Sequence, residues 1–194
     1  RPRMEEEKRI ALLPHDIEKY IDNPRLLFFQ KGYGADYDIS DREYRQTGAR
    51  VVSEENACGM DIFCQPKFCK KDAKFVKENQ IIFGWVHFGS EEGVINGLKK
   101  KVTAIAWENM FKNNRHVFYR NNRLTGEIGV MHAMAYAGKM PQECTVAVIG
   151  KGMVGTGAIK TLKRLGANDI FIYHSRNSHA LKKRIQEYDV IVHA

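Results

Sequence analysis

The chain has 194 residues, 43% of them hydrophobic and 28% charged, with 16 glycines and 5 prolines. This composition excludes a disordered or collagen-like chain, and the length fits one large domain or two small ones at about 100–200 residues each. Lys and Arg outnumber Asp and Glu by 31 to 23, a formal charge of +8. The basic runs Lys70-Lys71, Lys99-Lys100-Lys101 and Lys182-Lys183-Arg184 are short, scattered among acidic residues and free of interleaved aromatics. They read as solvated surface, so the surplus points to phosphate and carboxylate ligands and away from nucleic acid. No stretch approaches the roughly 18 apolar residues of a membrane span, so no membrane association is expected. The opening residues Arg1 to Lys8 hold no signal-peptide core, and Cys58, Cys64, Cys69 and Cys144 match neither a disulfide framework nor a zinc pattern. A cytoplasmic chain with free thiols and no metal is the expectation.

In chain order, Pro14 opens a helix over 14–22, and Arg25-Leu26-Leu27-Phe28-Phe29 follows as a strand. Ser40 and Glu43 make a capping box for a helix from Asp41 to Thr47, which Gly48 stops. Strands are expected at 50–52, 61–64, 80–86 and 102–106, followed by a more polar passage from Asn109 to Arg123 and a helix from Thr125 to Gly138 with small residues on one side. A βαβαβ pattern then closes the chain: strand 145–149, helix 153–165, strand 170–173, helix 178–186 and strand 189–193. The reading is an α/β protein of two Rossmann-like three-layer domains, the second present only as its first βαβαβ half. The expected divisions are a substrate domain over 1–124, a connecting helix over 125–141 and a truncated dinucleotide-binding domain over 142–194. A sheet built from these elements would normally have a strand before Arg9; none is read in Arg1 to Lys8, so the expectation is that the front is clipped too.

Gly150-Lys151-Gly152-Met153-Val154-Gly155 is a G-x-G-x-x-G run directly after a strand and at the head of a helix. Gly150 permits a tight turn, Gly152 lets the backbone approach a pyrophosphate, and Gly155 lets helix and strand pack closely; Met153 and Val154 supply N–H groups at the helix start. An acidic residue at the end of the following strand would mark NAD through its ribose hydroxyls. Here the strand runs into His174-Ser175-Arg176-Asn177. A cation beside neutral donors suits a 2′-phosphate, so NADP(H) is the expected cofactor.

In the first half, Arg9 precedes Ile10-Ala11-Leu12-Leu13, Lys67 follows Ile62 to Pro66, and His87 follows Phe83-Gly84-Trp85-Val86. Lys67 and His87 stand at carboxyl ends of expected strands, where open α/β sheets bind ligands. Two cations and an imidazole suit holding a carboxylate and exchanging a proton. Read from spacing alone, each is also compatible with a surface cation or a structural imidazole. Gly89-Ser90-Glu91-Glu92 reads as a loop over this site.

Lys8 to Pro14, Gly32-Tyr33-Gly34, Ser40 to Tyr44, Gly48-Ala49, Gln80 to His87 and Thr103 to Glu108 resemble, in order and spacing, the amino-terminal domain of the alanine dehydrogenase and pyridine nucleotide transhydrogenase superfamily. Trp85-Val86-His87, Ala106 to Lys112, Arg120-Asn121-Asn122 and Met131-His132-Ala133 are most similar to its carboxyethylornithine synthase branch. That resemblance implies NADPH-dependent reductive condensation of pyruvate with the side-chain amine of ornithine. It implies Arg9 as the pyruvate carboxylate ligand, Lys67 beside the carbonyl, and His87 as general acid and base. Arg120, Asn121, Asn122 and Glu127 become candidates for the basic amino-acid substrate, and a homo-oligomer is implied. Two departures stand out: Lys67 follows Gln65-Pro66 where alanine dehydrogenases carry a lysine-rich motif, and His174 replaces their acidic residue. An alanine- or saccharopine-type dehydrogenase and a non-catalytic nucleotide-binding module stay open as alternatives.

Overall fold

The computed structural model describes residues 1–87 and 101–194, so the loop expected at Gly89 to Glu92 lies outside the described residues. The chain forms two compact units, Arg1–Phe111 and Lys112–Ala194.

In the first unit, helix α1 (Pro14–Tyr20) starts with proline at its first turn, and Asp16 Oδ2 accepts the Leu13 N–H at 3.1 Å. It ends two residues before expectation because Ile21 turns extended and Asn23 precedes Pro24, a position that disfavours helical backbone. Residues Pro24–Leu26 then form a 3₁₀ turn, so strand β1 is the shorter Phe28–Gln30. Helix α2 (Asp41–Gln46) has the expected capping box, with Ser40 N–H donating to Glu43 Oε2 at 2.8 Å, and Gly48 follows at φ 90°. Strand β2 (Arg50–Val52) pairs in parallel with β1. A short helix α3 (Glu54–Cys58) escaped the sequence reading; its signal was Ser53, whose hydroxyl caps the Asn56 N–H at 3.4 Å.

Strands β3 (Ile62–Lys67), β4 (Ile81–Trp85) and β5 (Thr103–Ala106) form a second parallel ladder in that order. One core packs Ile17, Phe29, Tyr44 and Ala49 between the helices and β1. The other packs Phe63, Phe68, Val76, Ile82 and Val86 around the second ladder. Each of the Ile, Val and Phe side chains contributes roughly 1.5–3 kcal/mol on burial. Residues 1–8 form no strand: the Arg1 amine donates to Gln30 Oε1 at 2.7 Å, and its carbonyl accepts from Gln65 Nε2 at 3.1 Å. Arg1 thus reaches both the end of β1 and β3, which belong to separate ladders.

The passage from Asn109 to Arg123 is more ordered than its polarity suggested. Strands β6 (Phe111–Lys112) and β7 (Arg115–His116) form a ribbon turning on Asn113 and Asn114, both left-handed at φ 51° and 57°. Two such residues in succession suit a tight hairpin turn, and asparagine tolerates that backbone. Helix α4 (Tyr119–Ala137) begins six residues before the expected Thr125 and ends on Gly138 at φ 64°.

The second unit continues with β8 (Thr145–Ile149), α5 (Met153–Arg164), β9 (Asp169–Tyr173), α6 (Ser178–Arg184) and β10 (Val190–His193). Helix α4 packs on α5 within this unit. A Cβ on Gly126 would come within 2.0 Å of Val154 O, and one on Gly157 within 2.1 Å of Arg123 O. The small residues read along this helix therefore allow two helix backbones to touch. Val130, Met134, Val146, Val148, Ala158 and Leu162 fill one face of the sheet, while Ala147, Tyr173 and Tyr188 pack the other with Ala180 and Leu181 of α6. Strand order is β10-β8-β9, all parallel. The chain moves from β8 to one side and then returns to the other, so the order reverses between β8 and β10. No described helix is long and apolar enough to cross a membrane.

Candidate functional site

The segment bearing Arg9 is pinned by two phenols: Ala11 N–H donates to Tyr33 Oη at 2.7 Å, and Tyr44 Oη donates to Leu12 O at 3.0 Å. Arg9 makes a two-pronged contact with Glu7, Nε to Oε1 at 2.8 Å and Nη2 to Oε2 at 2.5 Å, and its backbone N–H also donates to Oε1 at 2.9 Å. The Glu7 side chain is only 9% exposed, against 47% for Arg9. Sequence reasoning missed Glu7, although E-x-R two residues apart in an extended segment lets one carboxylate reach both backbone and guanidinium. The Arg9 guanidinium holds the Glu7 carboxyl below its usual value, burial opposes this, and the charge of Lys67 adds to the lowering. Glu7, Arg9 and Lys67 thus form one electrostatic cluster.

Lys67 ends β3, in register with Trp85 across a bulge at Pro66. His87 lies two residues beyond β4 and is left-handed at φ 49°. Glu108, in the turn after β5, accepts the N–H groups of Val86 at 3.2 Å and His87 at 2.5 Å, replacing the ladder bonds lost where β4 ends. The imidazole stacks near Trp85, with centroids 6.4 Å apart and planes within 22°. Lys67 and His87 therefore stand at adjacent carboxyl ends of one parallel ladder, both half-buried.

A pH dependence follows from the Glu7 pair. Folding lowers this pKa below the usual 4.5, so the unfolded chain binds the proton more readily. The stabilisation is complete above about pH 4.5 and is lost as pH falls through the folded value. Glu7→Gln should therefore flatten the fall in denaturant stability between about pH 5 and 3; an unchanged acid slope would show that the pair contributes nothing.

The second unit holds the other candidates. Arg120 is exposed, and its Nε donates to Tyr119 Oη at 3.3 Å. Asn121 accepts the Thr125 hydroxyl on its carbonyl at 3.0 Å, Asn122 Nδ2 is 3.4 Å from His116 Nδ1, and Glu127 pairs with Arg123 at 3.3 Å. They lie in a different unit from Arg9, Lys67 and His87.

The glycine loop joins β8 to α5 at the strand-order reversal, where open α/β sheets bind ligands. Gly150 adopts φ 105°, and its N–H donates to Tyr173 O at 2.7 Å. Gly152 caps α5, and a Cβ there would meet nothing within 4 Å, whereas one on Gly155 would sit 2.2 Å from Gly150 O. Open space above Gly152, exposed Met153 and the helix start after it fit a pyrophosphate cradle. Past β9, His174, Ser175 and Arg176 are all exposed.

Residues 2–119 match the family model described as alanine dehydrogenase/PNT, N-terminal domain. Among curated proteins, the N(5)-(carboxyethyl)ornithine synthase of Clostridium botulinum is 27% identical over 215 residues, covering 98% of this chain and 65% of the relative. That of Lactococcus lactis subsp. lactis is 29% identical over 204 residues, covering 96% and 64%. The alanine dehydrogenase of Staphylococcus haemolyticus is 25% identical over 180 residues, covering 84% and 48%. The chain thus spans under two thirds of the length of these relatives. In fold it is similar to a transhydrogenase from Sinorhizobium meliloti, with TM-score 0.72 at 20% identity, covering 100% of this chain and 67% of that one. An L-alanine dehydrogenase gives TM-score 0.65 at 20% identity, covering 97% and 57%. With its parallel α/β units, the sequence-predicted motifs on one family model and relatives named as dehydrogenases, the chain belongs to the alanine dehydrogenase/PNT N-terminal domain family.

Proposed function

We propose that the full-length protein is an NADPH-dependent enzyme that condenses pyruvate reductively with the side-chain amine of ornithine. The observation that carries this reading is the similarity to two carboxyethylornithine synthases along 96–98% of the chain. In the reaction, the primary amine attacks the keto carbon and water leaves to give an imine. NADPH, held by the glycine loop, would supply the hydride that reduces the imine carbon, and a proton on nitrogen completes a secondary amine.

Arg9 binds the pyruvate carboxylate, its guanidinium steadied by Glu7. Lys67 supports the carbonyl end, and His87 delivers and removes protons, a task suited to an imidazole whose ordinary pKa lies near neutrality. Arg120, Asn121 and Glu127 serve the basic amino acid. Gly150, Gly152, Met153, Val154 and Gly155 hold the pyrophosphate, and His174, Ser175 and Arg176 the 2′-phosphate. The family resemblance also makes a homo-oligomer in the cytoplasm part of this proposal.

The similarity to an alanine dehydrogenase favours a second reading, in which ammonia replaces ornithine. NADPH oxidation with pyruvate, offering ornithine, lysine and ammonia in turn with product mass read by mass spectrometry, separates them. Oxidation with ornithine and a product heavier by a carboxyethyl group is the expected result. Oxidation with ammonia alone selects the alanine dehydrogenase reading, and none with any amine leaves a nucleotide-binding module.

A further inference from the structure

Asn177 precedes α6 and occupies its N-cap, the position where asparagine ordinarily accepts an N–H of the first helical turn. Its side chain makes no such bond. It turns back across the loop instead: Oδ1 accepts the His174 N–H at 2.7 Å, and Nδ2 donates to Ile172 O at 3.1 Å. Its own N–H donates to His174 O at 3.0 Å. Within this staple, the Arg176 N–H donates to His174 Nδ1 at 3.2 Å, which makes Nδ1 an acceptor and leaves the ring proton of a neutral imidazole on Nε2. One amide therefore ties the last turn of β9 to both ends of the segment carrying His174, Ser175 and Arg176, and all three of those are exposed.

We infer that Asn177 is a positioning residue for cofactor choice, holding the 174–176 segment in the shape that recognises a 2′-phosphate. This rests on the NADP reading of the proposed function. A helix cap would affect the stability of α6 alone, yet the bonds run to the loop. A loop left unstapled would have to pay the entropy of ordering His174, Ser175 and Arg176 when the phosphate binds. The pyrophosphate common to both cofactors would feel little of this, because its cradle is anchored separately through Gly150 to Tyr173 O.

The test is titration of the full-length protein with NADPH and NADH, following nicotinamide fluorescence, in the natural protein and in Arg176→Ala, Asn177→Ala and Asn177→Ser. The natural protein should prefer NADPH, and Arg176→Ala should erase the preference. Asn177→Ala should weaken NADPH about tenfold, the order of one charge-assisted contact, and NADH by less than about twofold. Asn177→Ser should fall between, since a hydroxyl makes the same kind of turn more weakly. Circular dichroism melts establish that each variant is folded, and the serine variant carries the test if the alanine one is not. Equal losses for both cofactors, or none, would overturn the inference while leaving the NADP reading intact. A natural protein without preference for NADPH would overturn both.

Discussion

Replacing His87 by Gln in the full-length protein should lower kcat with pyruvate and ornithine by about 10²- to 10⁴-fold, the usual contribution of a positioned general acid and base. NADPH affinity should stay within error, because the pyrophosphate cradle lies in the other unit, Lys112–Ala194. The structure gives a specific reason to expect the imidazole to matter. A left-handed histidine is uncommon and strained, and such backbone persists where its surroundings over-determine it. Here the carboxylate of Glu108 takes the N–H of His87 and of the residue before it. Stopped-flow hydride transfer together with equilibrium cofactor titration separates chemistry from binding. Full turnover in the variant would remove His87 from the mechanism.

The second large effect is expected at Gly155. An alanine Cβ there would lie 2.2 Å from Gly150 O, so the loop backbone has to move. A displacement of that kind, near one ångström, should cost about 10- to 100-fold in dinucleotide affinity, the loss of a hydrogen bond to the charged pyrophosphate, for NADPH and NADH alike. Gly152→Ala is the informative contrast, since its Cβ meets no protein atom within 4 Å. That variant should melt at the natural temperature yet bind both cofactors weakly, because the methyl group occupies the approach of the pyrophosphate. If Gly152→Ala binds normally, the cradle is not where the dinucleotide sits. Loss of both cofactors together at Gly155, against loss of NADPH alone at Asn177, would separate the pyrophosphate site from the 2′-phosphate site.

Much of this architecture was legible from local chemistry. Ser40 with Glu43, Pro14 at a helix start and Gly48 after a helix end each act within four residues, and each appears as expected. The turn at Gly150 and the close packing at Gly155 were legible for the same reason, being set by adjacent residues. Elements were misplaced where a tertiary contact overruled local polarity. The first turn of α4 looked like loop because Arg120, Asn121 and Asn122 are polar, yet Gly126 and Gly157 dock α4 against α5 and carry the helix back to Tyr119. Asn113-Asn114 was a readable turn signal that the surrounding polarity obscured.

In the candidate sites, the residue types came from the sequence for Arg9, Lys67, His87 and the run from Gly150 to Arg176, as did the places of Lys67, His87 and the glycine loop after strands. What holds them did not. Glu7 beneath Arg9, Glu108 behind His87 and Asn177 across the 174–176 segment are ordinary polar residues in the sequence, and only folding shows which hydrogen bonds they make. Strand order is the larger case. Periodicity identifies the five elements of the closing βαβαβ run but is silent on which side of β8 the third strand lies. The placement of β10 opposite β9, which puts the glycine loop at the reversal, depends on α5 and α6 burying apolar residues on opposite faces of the sheet. Local sequence sets turns, caps, strand identity and the Glu7–Arg9 pair because those interactions are short-range, whereas pairing order and the brace of Glu108 on His87 are decided by contacts between residues far apart in the chain.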